Sequence, residues 1–318
     1  MKRSQSDFIA GFLFALPNLK LIASPGGGAL PYLIGLCVFA LYPIAMSFYY
    51  SFTRYDIFSS PEWIGLANYS ELFGDRFFWT SIYNTLYYTF ISVPLGMLVA
   101  LLLALLLNVK VPGQSFFRTL FFLPSITPLV AASLLWLWIF NARFGLLNSV
   151  ITPVLDFLND FLDSSLTAPG RLADPSWSKP ALILMSLWGV GGTMVLYLAA
   201  LQDVPQSLYE VAELDGAGPF RRFLSVTLPM ISPVLFFTLV MGLIAAFQVF
   251  LQAYVMTAGG PGDSTTFYCL YLFNNGFLYF RLGYASAMAW ILFLLVIAVT
   301  FLVFKTTGRY VYYEGEGA

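Results

Sequence analysis

Five side chains in an otherwise apolar chain of 318 residues could hold a solute. Asn84, Gln248 and Gln252 carry amides that both donate and accept hydrogen bonds, while Trp188 and Tyr254 offer flat aromatic faces. Each lies in a run of nonpolar residues. A polar group in such a run lines a polar path or bridges two helices, and residue type leaves both readings open. Gln248 is the first choice for a path. The chemistry these groups allow is recognition, not bond making. Histidine is absent, which removes imidazole acid–base catalysis, haem ligation and most transition-metal sites. Cys37 and Cys269 match no metal or redox spacing and read as small apolar fillers. No acid pair lies within the apolar runs, so a membrane-embedded transferase would have little to work with. The Gly-rich stretch "SPGGGALP" lacks the lysine of a nucleotide-binding loop.

The elements that must position these groups cross a membrane. The chain is 59% hydrophobic and 10% charged, where a soluble domain carries about 25% charged residues. Six runs reach the ~20 residues that a spanning helix needs: 30–52, 81–107, 117–141, 180–201, 230–256 and 284–304. The fold class expected is an all-α membrane protein. Placing both termini in the cytoplasm puts nine basic residues inside (Lys2, Arg3, Lys20, Lys110, Arg118, Arg221, Arg222, Lys305 and Arg309) and six outside. The short basic connections 108–118 and 202–229 then lie inside, and the longer acidic ones, 53–80 and 142–179, outside. The N-terminal stretch has the look of a signal peptide, but a first span also serves as an insertion signal. The uncharged stretch Thr265–Phe280, interrupted by "NNG", reads as a partly inserted helix. No acid or base lies in a span core, which argues against proton relays. A net charge of −1 with no basic stripe argues against nucleic acid as a partner.

One polar island stands between the fourth and fifth runs: "SLYEVAELDGAGPFRRF", Ser207–Phe223. Ser207 and Glu210 have capping-box spacing, which predicts a helix start there. Pro205 ends the preceding helix. Gly216 and Gly218 suit a helix stop and reversal. Pro219 opens a second helix from Phe220 towards Leu228, with Pro229 and Pro233 marking the start of the next span. The first helix, about nine residues or ~13 Å long, is too short to stand alone in water and needs a surface to dock on.

These residues carry a resemblance. "LYEVAELDGAGPFRRFLSVTLPMISP" resembles the EAA loop of ABC importer permeases, with Glu210, Ala212, Gly216, Val226, Leu228 and Pro229 in the pattern's places. Val211 replaces the middle alanine and Val226 the usual isoleucine. "WIGLANYSELF" (Trp63–Phe73), "NTLYYT" (Asn84–Thr89), "FRTLFFLPSITPLVAASLLWLWIF" (Phe117–Phe140) and "TAGGPGDST" (Thr257–Thr265) are similar, in order, to the carbohydrate-uptake permeases. The segment opening "LP" occurs twice, at Leu16–Pro17 and Leu30–Pro31, and the second leads into the first span.

The resemblance implies a type I ABC importer permease fold with six transmembrane helices in a bacterial or archaeal inner membrane. A lead-in would occupy 1–29, the permease domain 30–305 with its coupling loop at 202–229, and a cytoplasmic tail 306–318. It also implies that Glu210, Ala212, Asp215 and Gly216 couple to a cytoplasmic ABC ATPase dimer, with ATP and Mg bound there and no cofactor on this chain. A second homologous permease would complete the path. An extracytoplasmic solute-binding protein would deliver a sugar near Thr257, Gly259, Gly260 and Pro261, a stretch that also suits a purely structural turn. Charge-free span cores favour a neutral sugar over a phosphorylated one. The alternative is a secondary carrier or channel for a small neutral solute.

Overall fold

The structure, a computed structural model, describes residues 30–109, 112–162, 170–308 and 311–312. The expected lead-in over 1–29 lies outside the described residues, as do Lys110, Arg309 and most of the expected tail. Helix α1 joins Leu30–Leu36, a π-helical turn at Cys37–Leu41, and Tyr42–Ser51. A two-stranded antiparallel ribbon follows, β1 (Thr53–Arg54) and β2 (Glu62–Trp63), in the register Thr53↔Trp63. Helix α2 (Ala67–Gly74) leads to α3 (Arg76–Asn108). Asp75 caps α3 by accepting the Phe77 N–H at 2.8 Å.

At 33 residues, α3 is about 50 Å long. It is the central post, packed against α7 (Pro175–Trp188), α8 (Gly191–Asp203), α10 (Pro219–Phe247) and α12 (Tyr268–Phe273). Small residues allow the close approach: Ala100 and Ala104 are fully buried, and a Cβ on Gly242 would sit 3.1 Å from Val93. The Tyr197 and Thr238 hydroxyls, 2.6 Å apart, join α8 to α10 inside this core. The last helix, α13 (Leu282–Thr307), packs on α1.

Among the described residues, four helices are long and apolar enough to cross a membrane, and two bent pairs bring the number to six if each pair is one span. The run expected at 117–141 is α4 (Gln114–Ile126) and α5 (Leu129–Ile139), bent by 100°. Pro128 causes the bend: it holds Thr127 extended and cannot donate to the preceding turn. The run at 180–201 is α7 and α8, bent by 48°. There Gly191 is required, because its Cβ would lie 2.2 Å from the Phe121 carbonyl. Helix α6 (Leu146–Leu162) lies between the two pairs.

Two expectations about the later helices are corrected. The run at 230–256 is not one helix: α10 ends at Phe247, and α11 (Leu251–Met256) starts anew after Gln248–Phe250. Nor does a separate helix end near Leu228, since α10 runs unbroken for 29 residues from Pro219. It passes Pro229 through a π turn at Phe223–Thr227. A helical proline crowds the carbonyl four residues back. Just upstream, the Leu228 N–H reaches five residues back to Phe223, and Tyr42 reaches Cys37 in the same way ahead of Pro43. The expected interruption at "NNG" is a third π turn, Asn274–Leu278, which continues α12.

Candidate functional site

A cavity of about 600 Å³ lies between α3, α7, α8, α10 and the 248–250 break. Its polar lining comes from Ser92, Ser186, Thr193, Thr238, Gln248 and Gln252, and Tyr88, Val93, Met97 and Phe250 add apolar wall. The volume is in the range of small-molecule sites. Gln248 closes α10, its N–H on the Ala245 carbonyl at 3.1 Å. Among the described residues, the Gln248 and Gln252 amides make no side-chain hydrogen bond. They are available to a solute, beside hydroxyls such as Ser186 and Thr238 that are bonded within the protein.

The structure groups the five candidates differently from the sequence. Gln248 and Gln252 share the cavity. Tyr254 lies outside its lining, 45% exposed, but its ring stacks on Phe250 at 5.3 Å and meets Phe273 edge-on at 5.4 Å. Phe250 thus links the cavity wall to an aromatic ledge. Trp188 packs into the core against Trp136, ring centroids 6.1 Å apart. The lining hydroxyls and Phe250 were missed in the sequence. A serine or threonine in a span meets its own needs locally, as Ser186 does on the Ile183 carbonyl at 2.6 Å, so it leaves no pattern to find.

Asn84 sits elsewhere, only 1% exposed. Its amide donates to the Asp263 and Thr266 carbonyls at 2.8 and 3.1 Å and accepts from Lys179 Nζ at 2.9 Å. It therefore meets the loop containing Thr257, Gly259, Gly260 and Pro261. That loop is stitched internally: Thr257 and Thr265 hydroxyls are 2.7 Å apart, and Thr265 Oγ1 donates to the Gly260 carbonyl at 2.7 Å. Ser264 and Ser178 hydroxyls, 2.7 Å apart, tie it to α7. Gly259 has φ of 94° and leaves no room for a Cβ, which would lie 2.7 Å from Thr266 Oγ1. Nearby, the Tyr271 and Tyr284 hydroxyls donate to the Asp75 carboxylate. Burial alone would raise the Asp75 pKa, but these bonds and the Phe77 and Phe78 N–H groups outweigh it and hold the carboxyl below its usual value.

The polar island is a helical hairpin, α9 (Gln206–Leu214) turning into α10. The expected capping box is not formed. The N-cap position falls on Pro205, which has no side chain to bond, and Leu208 N–H takes the Pro205 carbonyl at 3.2 Å. Glu210 is exposed and makes no side-chain hydrogen bond among the described residues. The expected stop is formed as a Schellman turn. Ala217 N–H reaches the Ala212 carbonyl and Gly216 N–H that of Glu213, both at 2.9 Å, with Gly216 at φ of 74°. Asp215 is the exposed C-cap. Pro219 takes the first position of α10 behind Gly218.

This arrangement, spanning helices around a mainly apolar cavity that carries a few polar groups, with a short exposed hairpin at one end, is that of a multi-pass membrane permease. The architecture matches that of a bacterial ABC transporter that imports the acidic polysaccharide alginate, with a TM-score of 0.75 over 96% of this chain and 99% of that one at 23% identity. Residues 92–306 match the model of the binding-protein-dependent transport system inner membrane component family. The probable ABC transporter permease protein YesP of Bacillus subtilis is 39% identical, covering 99% of this chain and 97% of its own. The sulfoquinovosyl glycerol transport system permease SmoG of Agrobacterium fabrum is 37% identical over 85% of each chain. The sn-glycerol-3-phosphate transport system permease UgpA of Pectobacterium atrosepticum is 36% identical over 90% and 94%. The chain belongs to the binding-protein-dependent transport system inner membrane component family, as the EAA-like residues lead one to expect.

Proposed function

We propose that this chain forms half of the translocation path of an ATP-driven importer for a sugar or sugar-like solute. The observation that carries the reading is the cavity at the 248–250 break. Unpartnered amides and Phe250 line it, and it stands at one end of a continuous helix whose other end carries the hairpin. Amides and aromatic faces suit a ligand with many hydroxyls and flat ring faces. SmoG and UgpA are named for solutes that share hydroxyl groups.

A second homologous permease completes the path, and an extracytoplasmic binding protein docks near Thr257, Gly259, Gly260 and Pro261. The membrane is a bacterial or archaeal inner membrane. With each bent pair counted as one span, both termini and the hairpin share a side, and the basic residues beside the hairpin favour the cytoplasm for it. There Glu210, Ala212, Asp215 and Gly216 meet an ABC ATPase dimer that holds ATP and Mg. Glu210, free of any capping duty, is available to a basic residue of that partner.

Uptake in proteoliposomes holding both permeases, the ATPase and the binding protein tests the path. Gln248→Ala and Gln252→Ala should each lower uptake about fivefold, the factor one hydrogen bond of ~1 kcal/mol carries, with the complex intact. Normal uptake in the double variant would remove the cavity from the path.

A further inference from the structure

The hairpin poses a mechanical problem. No residue of α9 is fully buried, and nine residues of helix do not hold their shape unaided. A push on such an element would bend its connection before it moved the bundle. Two cross-ties oppose that bending. The hydroxyls of Tyr209 and Thr227 lie 2.9 Å apart, and Arg222 Nη1 donates to Glu213 Oε2 at 2.9 Å. The ties differ in weight. Thr227 is buried and the Tyr209 ring packs on the core around Leu201 and Ile231, so their bond is partly shielded from water. Glu213 is mostly exposed, and an exposed ion pair contributes little.

The π turn makes both ties possible at once. Tyr209 and Glu213 are four apart and share one face of α9. Arg222 and Thr227 are five apart, and in an unbroken α-helix, at 3.6 residues per turn, they would point roughly 140° away from each other. The turn at Phe223–Thr227, with its five-residue bonds, brings them towards one side. Past it, α10 runs without a break to Phe247, next to Gln248 on the cavity.

We infer that Tyr209 and Thr227 are positioning residues, assisted by Glu213 and Arg222: they lock α9 to α10, so that displacement of α9 by the ATPase reaches the cavity as rigid movement of one helix. The inference rests on the reading above, that α9 meets the ATPase. The test is therefore built to separate the two. A cysteine at Val211, 57% exposed and outside both ties, is cross-linked to lysines of the ATPase in the assembled importer. Absence of the cross-link in the parent protein overturns the reading, and this inference with it.

Given the cross-link, Tyr209→Phe, which keeps the ring, and Thr227→Val should each retain it. They should lower solute moved per ATP hydrolysed about fivefold, as the loss of one hydrogen bond predicts. Thr227→Ser should restore the ratio. The reversed pair, Glu213→Arg with Arg222→Glu, should regain whatever Glu213→Arg alone loses. A retained cross-link with an unchanged ratio in Tyr209→Phe would overturn the inference. So would loss of the cross-link in that variant, because the tie would then serve docking or folding alone.

Discussion

Two turns built on left-handed glycines stand in opposite surroundings. The loop around Gly259 is buried against α3 and α7 and held by Asn84, Ser178 and its own threonines. The hairpin around Gly216 is exposed, with nothing within 4 Å of where a Cβ would lie. The first keeps its shape through contacts with the bundle. The second keeps its shape through backbone capping and a few cross-ties, which leaves its outer surface free. Buried hydrogen bonds are suited to fixing a site, and sparse ones to presenting a surface that another protein must grip.

Substitutions can break this contrast, and the largest effect belongs to the loop. Asn84→Leu keeps the branching and the number of side-chain heavy atoms but removes the donors to the Asp263 and Thr266 carbonyls and the acceptor for Lys179. It should cost about 2–4 kcal/mol in thermal unfolding of the purified protein. Gly259→Ala comes next, adding a clash with Thr266 to the left-handed strain. Gly216→Ala adds the strain alone, about 1–2 kcal/mol. Equal losses at the two glycines would mean that the surroundings do not matter.

Asp75 gives a smaller effect that depends on pH. Its folded pKa is depressed, so its stabilisation is complete above the unfolded value of about 3.9 and disappears as pH falls through the lower folded value. Asp75→Asn should flatten the loss of melting temperature between about pH 5 and pH 3. An unchanged acid limb would show that the two tyrosines do not hold the carboxylate. Glu210→Ala should move the melting temperature least. As a capping residue it would cost about 1 kcal/mol, so any loss of that size would restore a capping role.

The hairpin was legible because its punctuation is local. Gly216, Gly218 and Pro219 each have backbone demands that few other residues meet, and the end of α8, both ends of α9 and the start of α10 all fall beside a glycine or proline. The capping box misled because its spacing was present while Pro205 had already taken the helix start. The break at Gln248–Phe250 left no such mark, having neither glycine nor proline. Beyond it α11 packs against α5, a partner more than a hundred residues away that no nearby residue records. Asn84 was picked out as a buried amide, yet its partners are carbonyls about 180 positions away, and a carbonyl carries no residue signature. Hence a path and a bridge could not be told apart from residue type.

The length of α3 sets where its polar residues stand relative to the lipid. Its roughly 50 Å exceed the ~30 Å hydrocarbon layer, and even a 40° tilt leaves about 38 Å along the bilayer normal. The helix must therefore extend into the headgroup region. Asn84 lies eight residues from Arg76, about 12 Å along the axis, close to that boundary. Lys179, whose ammonium rests on Asn84 and over the Tyr83 and Tyr87 rings, then sits where water and lipid phosphate can solvate it. Among the described residues no carboxylate forms an ion pair with Lys179, so carrying this charge deeper into the hydrocarbon would be costly.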